Sequence, residues 1–239
     1  MAMSITDGGN AYLANGASDT FDVGSTPAVI IVVAHCKTWD EVTGITVGGY
    51  AMSKAHQVWY TTWNAYVQFW WYDNAAALTG TQTVTLTSQG DPGAVTVLGL
   101  QAVGTPTIVD TISHTGAATA SVDYLDSGAV EAMRIIAVTD KNSPNNLTSG
   151  YTQATIGYTS DGGGWNYAVA HDTVQRSGNI YSGWYNGTGN MYGAFGGICI
   201  TDATFEATPD PVGIEVTMPA PTITSPTDIV AYPEQFGIK

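Results

Sequence analysis

Ala28-Val29-Ile30-Ile31-Val32-Val33-Ala34-His35-Cys36 is apolar at odd and even positions alike. Successive side chains of a β-strand point to opposite faces, so such a run reads as a central strand covered on both sides. The run has an echo. Met133-Arg134-Ile135-Ile136-Ala137-Val138 repeats Val29–Ala34, Trp165-Asn166-Tyr167-Ala168-Val169 repeats Trp63-Asn64-Ala65-Tyr66-Val67, and Gly193–Ile200 repeats Gly93–Leu100. Strands therefore recur in the same order at nearly constant spacing. Solenoid repeats have periods of roughly 20–50 residues, so this longer one predicts a duplicated half folded onto itself. Similar strands written twice by the same patterning rules are the alternative.

Outward from these strands, Thr20–Val23 alternates as a short strand. Gly48-Gly49 turns a hairpin between flanking strands, Tyr66–Tyr72 is an aromatic strand, Thr81–Ser88 alternates cleanly, and Ala94–Val103 closes the first half. The second half places strands at 120–124, 132–139, 151–158, 166–174, 180–185 and 191–201. Polar loops at 140–146 and 159–164 separate some of them. The predicted fold is all-β, a jelly-roll-like antiparallel β-sandwich over 19–203 with pseudo-repeats at 19–104 and 120–203. Residues 1–18 read as an approach segment. Six of the ten prolines lie beyond Ala203. Proline fixes φ and lacks a donor, so 204–239 reads as an extended arm.

The formal charge of −14 comes from 20 acidic residues against 6 basic ones. It reflects missing bases more than abundant acids. Lys37, Lys54, Arg134, Lys141, Arg176 and Lys239 stand singly, whereas phosphate binding needs clustered cations, so neither nucleic acid nor an anionic membrane surface is an expected partner. Met1–Asp7 has no basic or apolar leader character, and synthesis in a cytoplasm without a cleaved signal is expected. Cys36 and Cys199, each at the end of an apolar strand, read as buried thiols, with a disulfide as the alternative.

No motif for catalysis emerges. His35, His56, His114 and His171 are widely separated, and no Cys pair, zinc motif or nucleophile elbow accompanies them. No cofactor, metal site or catalytic residue is assigned, and the chain is not expected to be an enzyme. Asp40, Glu41, Asp73, Asp123 and Asp126 are the carboxylates that could converge as a glycosidase pair. Aromatic density is the sharper signal, because eight aromatics fall between Trp59 and Tyr72. Strand alternation puts Phe69 and Trp71 on one face and Trp70 and Tyr72 on the other. Two readings compete: burial on both faces between packed sheets, and an interface or sugar-stacking platform, where Trp and Tyr serve as anchors. The candidate contact residues are Trp59, Trp63, Trp70, Trp71, Tyr72, Trp165, Trp184 and Tyr185, with Pro219, Pro221, Pro226 and Pro233 in the arm.

The hairpin Gly44–Lys54 with its Gly48-Gly49-Tyr50-Ala51-Met52 turn, the strand Val67–Tyr72, the Gly80-Thr81-Gln82-Thr83-Val84-Thr85-Leu86 strand and then Val95–Gly104 resemble a β-sandwich module of bacteriophage virion and bacterial surface proteins. The resemblance covers about Phe21–Ala203. It departs from the module at Ala77-Leu78-Thr79, where Pro-Ala-Gly is usual, and at Gln101-Ala102. It implies a packing scaffold and carries no catalytic residue. Taken with the charge and the Pro-rich segment, it leads to the expectation of a structural protein of a tailed bacteriophage virion: a capsid decoration or cement protein on the outer particle surface. Its expected partners are the major capsid protein or other virion proteins, in a homo-oligomer, possible trimers included. The alternative is a carbohydrate-binding module of a tail fibre or secreted polysaccharide-active protein, with a surface glycan as partner; a glycoside hydrolase ranks third.

Overall fold

The computed structural model describes residues 3–36, 41–89, 93–118, 120–141, 146–149, 153–160, 165–185 and 191–203. The predicted arm, with Pro219, Pro221, Pro226 and Pro233, lies outside them.

The first half contains β1 (Ser4–Leu13), β2 (Ser18–Asp22), β3 (Val29–Cys36), β4 (Val42–Val47), β5 (Tyr50–Ala51), β6 (Ser53–Tyr60), β7 (Ala65–Tyr72), β8 (Thr81–Ser88) and β9 (Gly93–Gln101). The second contains β10 (Thr105–Ala118), β11 (Ala120–Asp126), β12 (Ala132–Lys141), β13 (Asn146–Ser149), β14 (Gln153–Ser160), β15 (Trp165–Asp172), β16 (Asn179–Tyr185) and β17 (Met191–Ala203). Each half is a jelly roll. The inner sheets run β1-β9-β3-β7-β6 and β10-β17-β12-β15-β14, and the outer sheets run β2-β8-β4-β5 and β11-β16-β13. Apart from β5, which has no counterpart among the described residues, the two orders agree strand for strand, and the described pairings are antiparallel.

The repetition extends to register. Val29 pairs with Leu100 in the first half and Met133 with Ile200 in the second, so these two echoes align residue for residue. The Trp-Asn echo does not. Ile30 opposes Tyr72, and Ile135 opposes His171, which places Ala65 and Trp165 in equivalent positions and shifts that echo by two residues. A shift of two keeps every side chain on its own face.

The four sheets stack with the inner sheets face to face. Ile30, Val32, Tyr66, Trp70, Val84 and Leu86 join the layer inside the first jelly roll. Ile112, Leu125, Ile136, Ala168, Phe195 and Cys199 form the one inside the second. Between the halves lies a third apolar layer that includes Val29, Ile31, Val33, Phe69, Leu98, Met133, Ile135, Val169 and Ile198. Val29–Cys36 is buried throughout because each inner sheet is covered on both faces. β6 lies along β10 and β1 along β14, so each half offers the other the same two edges. The His56 ring donates from Nε2 to the Ile112 carbonyl, 3.0 Å away, across one of these seams. This is the arrangement of a two-fold dimer made within one chain.

The sequence boundaries need correction at residues 1–18. That stretch contains β1, a ten-residue edge strand paired along β9, so the first jelly roll begins at Ser4. Its register slips between Asp7 and Gly9, and the bulge hides the alternation that would mark a strand. Gly8 tolerates the bulge because a Cβ there would lie 2.7 Å from the Asp22 carbonyl oxygen. β10 occupies the same edge of the second inner sheet, and Pro106 is accommodated there because an edge strand leaves donors unpaired. Cys36 and Cys199 are buried in different jelly rolls and form no disulfide. Burial raises the Cys199 thiol pKa to about 11, with Arg134 pulling the other way.

Candidate functional site

Polar and aromatic side chains collect on β6 and β7, on the face turned away from the second half, buried on β7 and reaching solvent on β6 at Lys54 and Trp59. Lys54 pairs with Trp70, Gln57 with Gln68 and Trp59 with Tyr66, giving three ranks down two strands. A bulge between Lys54 and His56 brings Lys54 onto the same face as Gln57 and Trp59. Each rank is locked internally. Trp59 stacks on Tyr66 with ring centroids 5.7 Å apart and planes 5° from parallel. The Gln68 amide donates to Gln57 Oε1 at 3.0 Å and to Glu41 Oε1 at 3.2 Å, while Trp70 Nε1 donates to Gln68 Oε1 at 3.3 Å. Lys54 donates to Gln57 Oε1 at 2.7 Å, pairs with Glu41 and lies 5.6 Å from the Trp70 ring centroid. Burial, and after it the Glu41 carboxylate, pushes the Tyr66 phenol above its ordinary pKa.

The β6–β7 turn, Thr61–Asn64, fixes the end of the ladder. Asn64 adopts φ +48, a left-handed conformation that Asn tolerates better than most residues. From there its Oδ1 accepts the Trp59 Nε1 hydrogen at 3.3 Å. Trp63 projects beside it, with Lys141 Nζ of the second half 3.8 Å from its ring centroid. Trp59 is 46% exposed and Trp63 40%.

Beneath this corner the halves meet through a polar relay. Thr139 Oγ1 donates to the Tyr66 carbonyl at 2.8 Å and lies 3.0 Å from His35 Nδ1. With its hydrogen committed, Thr139 accepts from Nδ1–H, and His35 Nε2 is left bare without a hydrogen bond among the described residues. Burial holds the His35 pKa down at about 3.

Of the candidate contact residues, Trp59 near the end of β6 and Trp63 in the turn after it reach the surface. Trp70 and Trp165 do not, since they are 4% and 5% exposed and pack in apolar clusters. Trp71 and Tyr72 are half-buried, Trp71 against the layer between the halves and Tyr72 against the first jelly roll's interior, where it stacks with Tyr50 at 5.7 Å. The cluster Phe69–Tyr72 is thus packed on both faces, because its strand lies between an outer sheet and the other half. The Trp184 and Tyr185 side chains fall outside the described residues. Sequence reading missed Lys54, Gln57 and Gln68, and raised Glu41 only as one of five carboxylates for a glycosidase pair. The available signal was Tyr66-Val67-Gln68-Phe69-Trp70, in which polar and aromatic residues share one parity. Among the described residues no three His, Cys, Asp or Glu side chains gather as a metal site, and no helix is long and apolar enough to cross a membrane.

Comparison with protein-family models, with curated proteins and with solved structures gave no match.

Proposed function

We propose that the protein is a structural protein of a tailed bacteriophage virion, a decoration protein seated on the major capsid protein at the outer surface of the head. The observation that supports this reading is how the chain uses its apolar surface. The central strands of both inner sheets are packed on both faces, and the buried Arg134 is held by Asp172 and by three backbone carbonyls. A rigid body results, with Trp59 and Trp63 presented at one corner as its outward contact surface. A particle-surface protein needs that combination of stability and a small exposed anchor. The formal charge of −14 suits the outside of a particle better than its nucleic-acid interior. Density-gradient purification of intact particles tests the reading: the chain should travel with them at a fixed ratio to the major capsid protein. A chain found wholly in the particle-free fractions would overturn it.

A further inference from the structure

Three features of the β6–β7 face point to a ligand. First, its hydrogen-bonding capacity is not used up. Among the described residues the Gln57 Nε2 amino group and Glu41 Oε2 make no hydrogen bond, although their partner oxygens are each held by two donors. Gln57 lies one rank from Trp59 on the same face, and the Glu41 carboxylate acts on Tyr66, on which the nearly half-exposed Trp59 ring is stacked. Second, the fold does not require this face. By register, β15 carries Asn166, Ala168 and Ala170 where β7 carries Tyr66, Gln68 and Trp70, and the second jelly roll closes over the two alanines. Third, the face is stiff. Gln68 is fully buried and fixes Gln57, Glu41 and Trp70 at once, so these groups are oriented before any ligand arrives.

A flat ring edged by an amide donor and a carboxylate acceptor matches a sugar, whose ring presents apolar C–H faces and whose rim presents hydroxyls. The ranks follow one another at about 7 Å, two residues of strand rise, so the polar rank of Gln57 and Gln68 lies within one sugar ring's reach of Trp59. Charge selects further. Glu41 and the formal charge of −14 disfavour an anionic ligand, and Lys54 is already committed to Glu41.

We infer that the Lys54–Gln57–Trp59 face is a saccharide-binding site for a neutral oligosaccharide. One sugar ring lies on Trp59, a hydroxyl accepts from Gln57 Nε2–H, and another donates to Glu41. The inference goes beyond the virion reading and stands independently of it: it gives this corner, which that reading uses as an anchor, a saccharide as its partner.

The test uses the full chain on an array of neutral glucose-, galactose- and N-acetylglucosamine-based oligosaccharides, with sialylated and sulfated ones alongside. Calorimetric titration of the retained sugars and co-sedimentation with particles follow. Neutral oligosaccharides should bind. Trp59→Ala should weaken them about tenfold or more, since removing a stacking anchor has that order of effect. Gln57→Ala, which leaves the ring in place, should weaken them about fivefold, and Tyr124→Ala, an exposed aromatic of the other half, should change nothing. Thermal melts establish that each variant is folded, and Trp59→Phe supplies a milder second variant. Retention of no neutral sugar, retention of anionic sugars alone, or titrations indifferent to both Trp59→Phe and Gln57→Ala would overturn the site. So would Trp59→Ala releasing the chain from particles while leaving sugar binding intact. Sugar binding by a chain that never sediments with particles would keep the site and remove the virion reading.

Discussion

Arg134 and Asp172 show what the second half did with a position that the first half fills with hydrocarbon. By register they stand where Ile30 and Tyr72 stand in the first jelly roll. The guanidinium is 1% exposed and lies 3.6 Å from the carboxylate. It also donates to the Leu125, Arg176 and Gly178 carbonyls, at 3.2, 3.0 and 2.7 Å, and so ties two connections to the core. Removing one partner leaves a buried charge unopposed, so Arg134→Met should cost about 3–5 kcal/mol of folding free energy. The double variant Arg134→Ile/Asp172→Leu should cost clearly less than the sum of its single changes, measured by urea unfolding, because the site then resembles its first-half counterpart. Strict additivity would mean that the two charges do not interact. His35 makes a separate prediction about acid. Its folded pKa of about 3 is below the ordinary 6.5, so in the window between them the unfolded chain binds the proton and the native state does not. Its contribution is therefore complete above pH 6.5 and is lost as pH falls toward 3, by roughly 5 kcal/mol in full. Relative to wild type, His35→Gln should flatten the loss of melting temperature between pH 6.5 and 4. An unchanged slope would remove His35 as the cause.

At the scale of elements, three of the strands the sequence hid are bulged edges, although β14, also a bulged edge, was legible at 151–158. β3, β8, β9, β12 and β17 lie inside sheets or run with clean alternation, and their patterns were legible. β1, β6 and β10 are edge strands of the inner sheets, each interrupted by a bulge, and half-burial with a parity slip erases the period-two signal. Losing β6 also hid the site, because Lys54, Gln57 and Trp59 come together only through its pairing with β7. Which face of Phe69–Tyr72 was core had no answer in the sequence, since the answer is both. Trp70→Ala should therefore cost about 3–5 kcal/mol, read by thermal or urea unfolding. Trp59→Ala, one rank-end away on the neighbouring strand, should cost about 1 kcal/mol from lost stacking on Tyr66. Equal losses would mean that Trp59 is packed as Trp70 is.

At the scale of the whole molecule, the layer between the halves makes them one cooperative body. Val33, Phe69 and Leu98 of the first half bury against Met133, Val169 and Ile198 of the second, so neither inner sheet can unfold without exposing an apolar face of the other. The compact unit that holds these layers spans Met1–Phe205, and the pairing of Thr105 with Ala203 closes its second inner sheet. The described residues of the three layers all lie within that unit. A chain ending at Phe205 should accordingly melt in a single calorimetric transition at nearly the full-length midpoint. Under the virion reading, the proline-bearing segment 206–239 serves attachment, so the same truncated chain should bind particles more weakly than the full chain does. A fall in midpoint of more than a few degrees, which for a body this size corresponds to about 1 kcal/mol or more, would show that the segment stabilises the sandwich. Two separated transitions would show instead that the shared layer does not couple the jelly rolls.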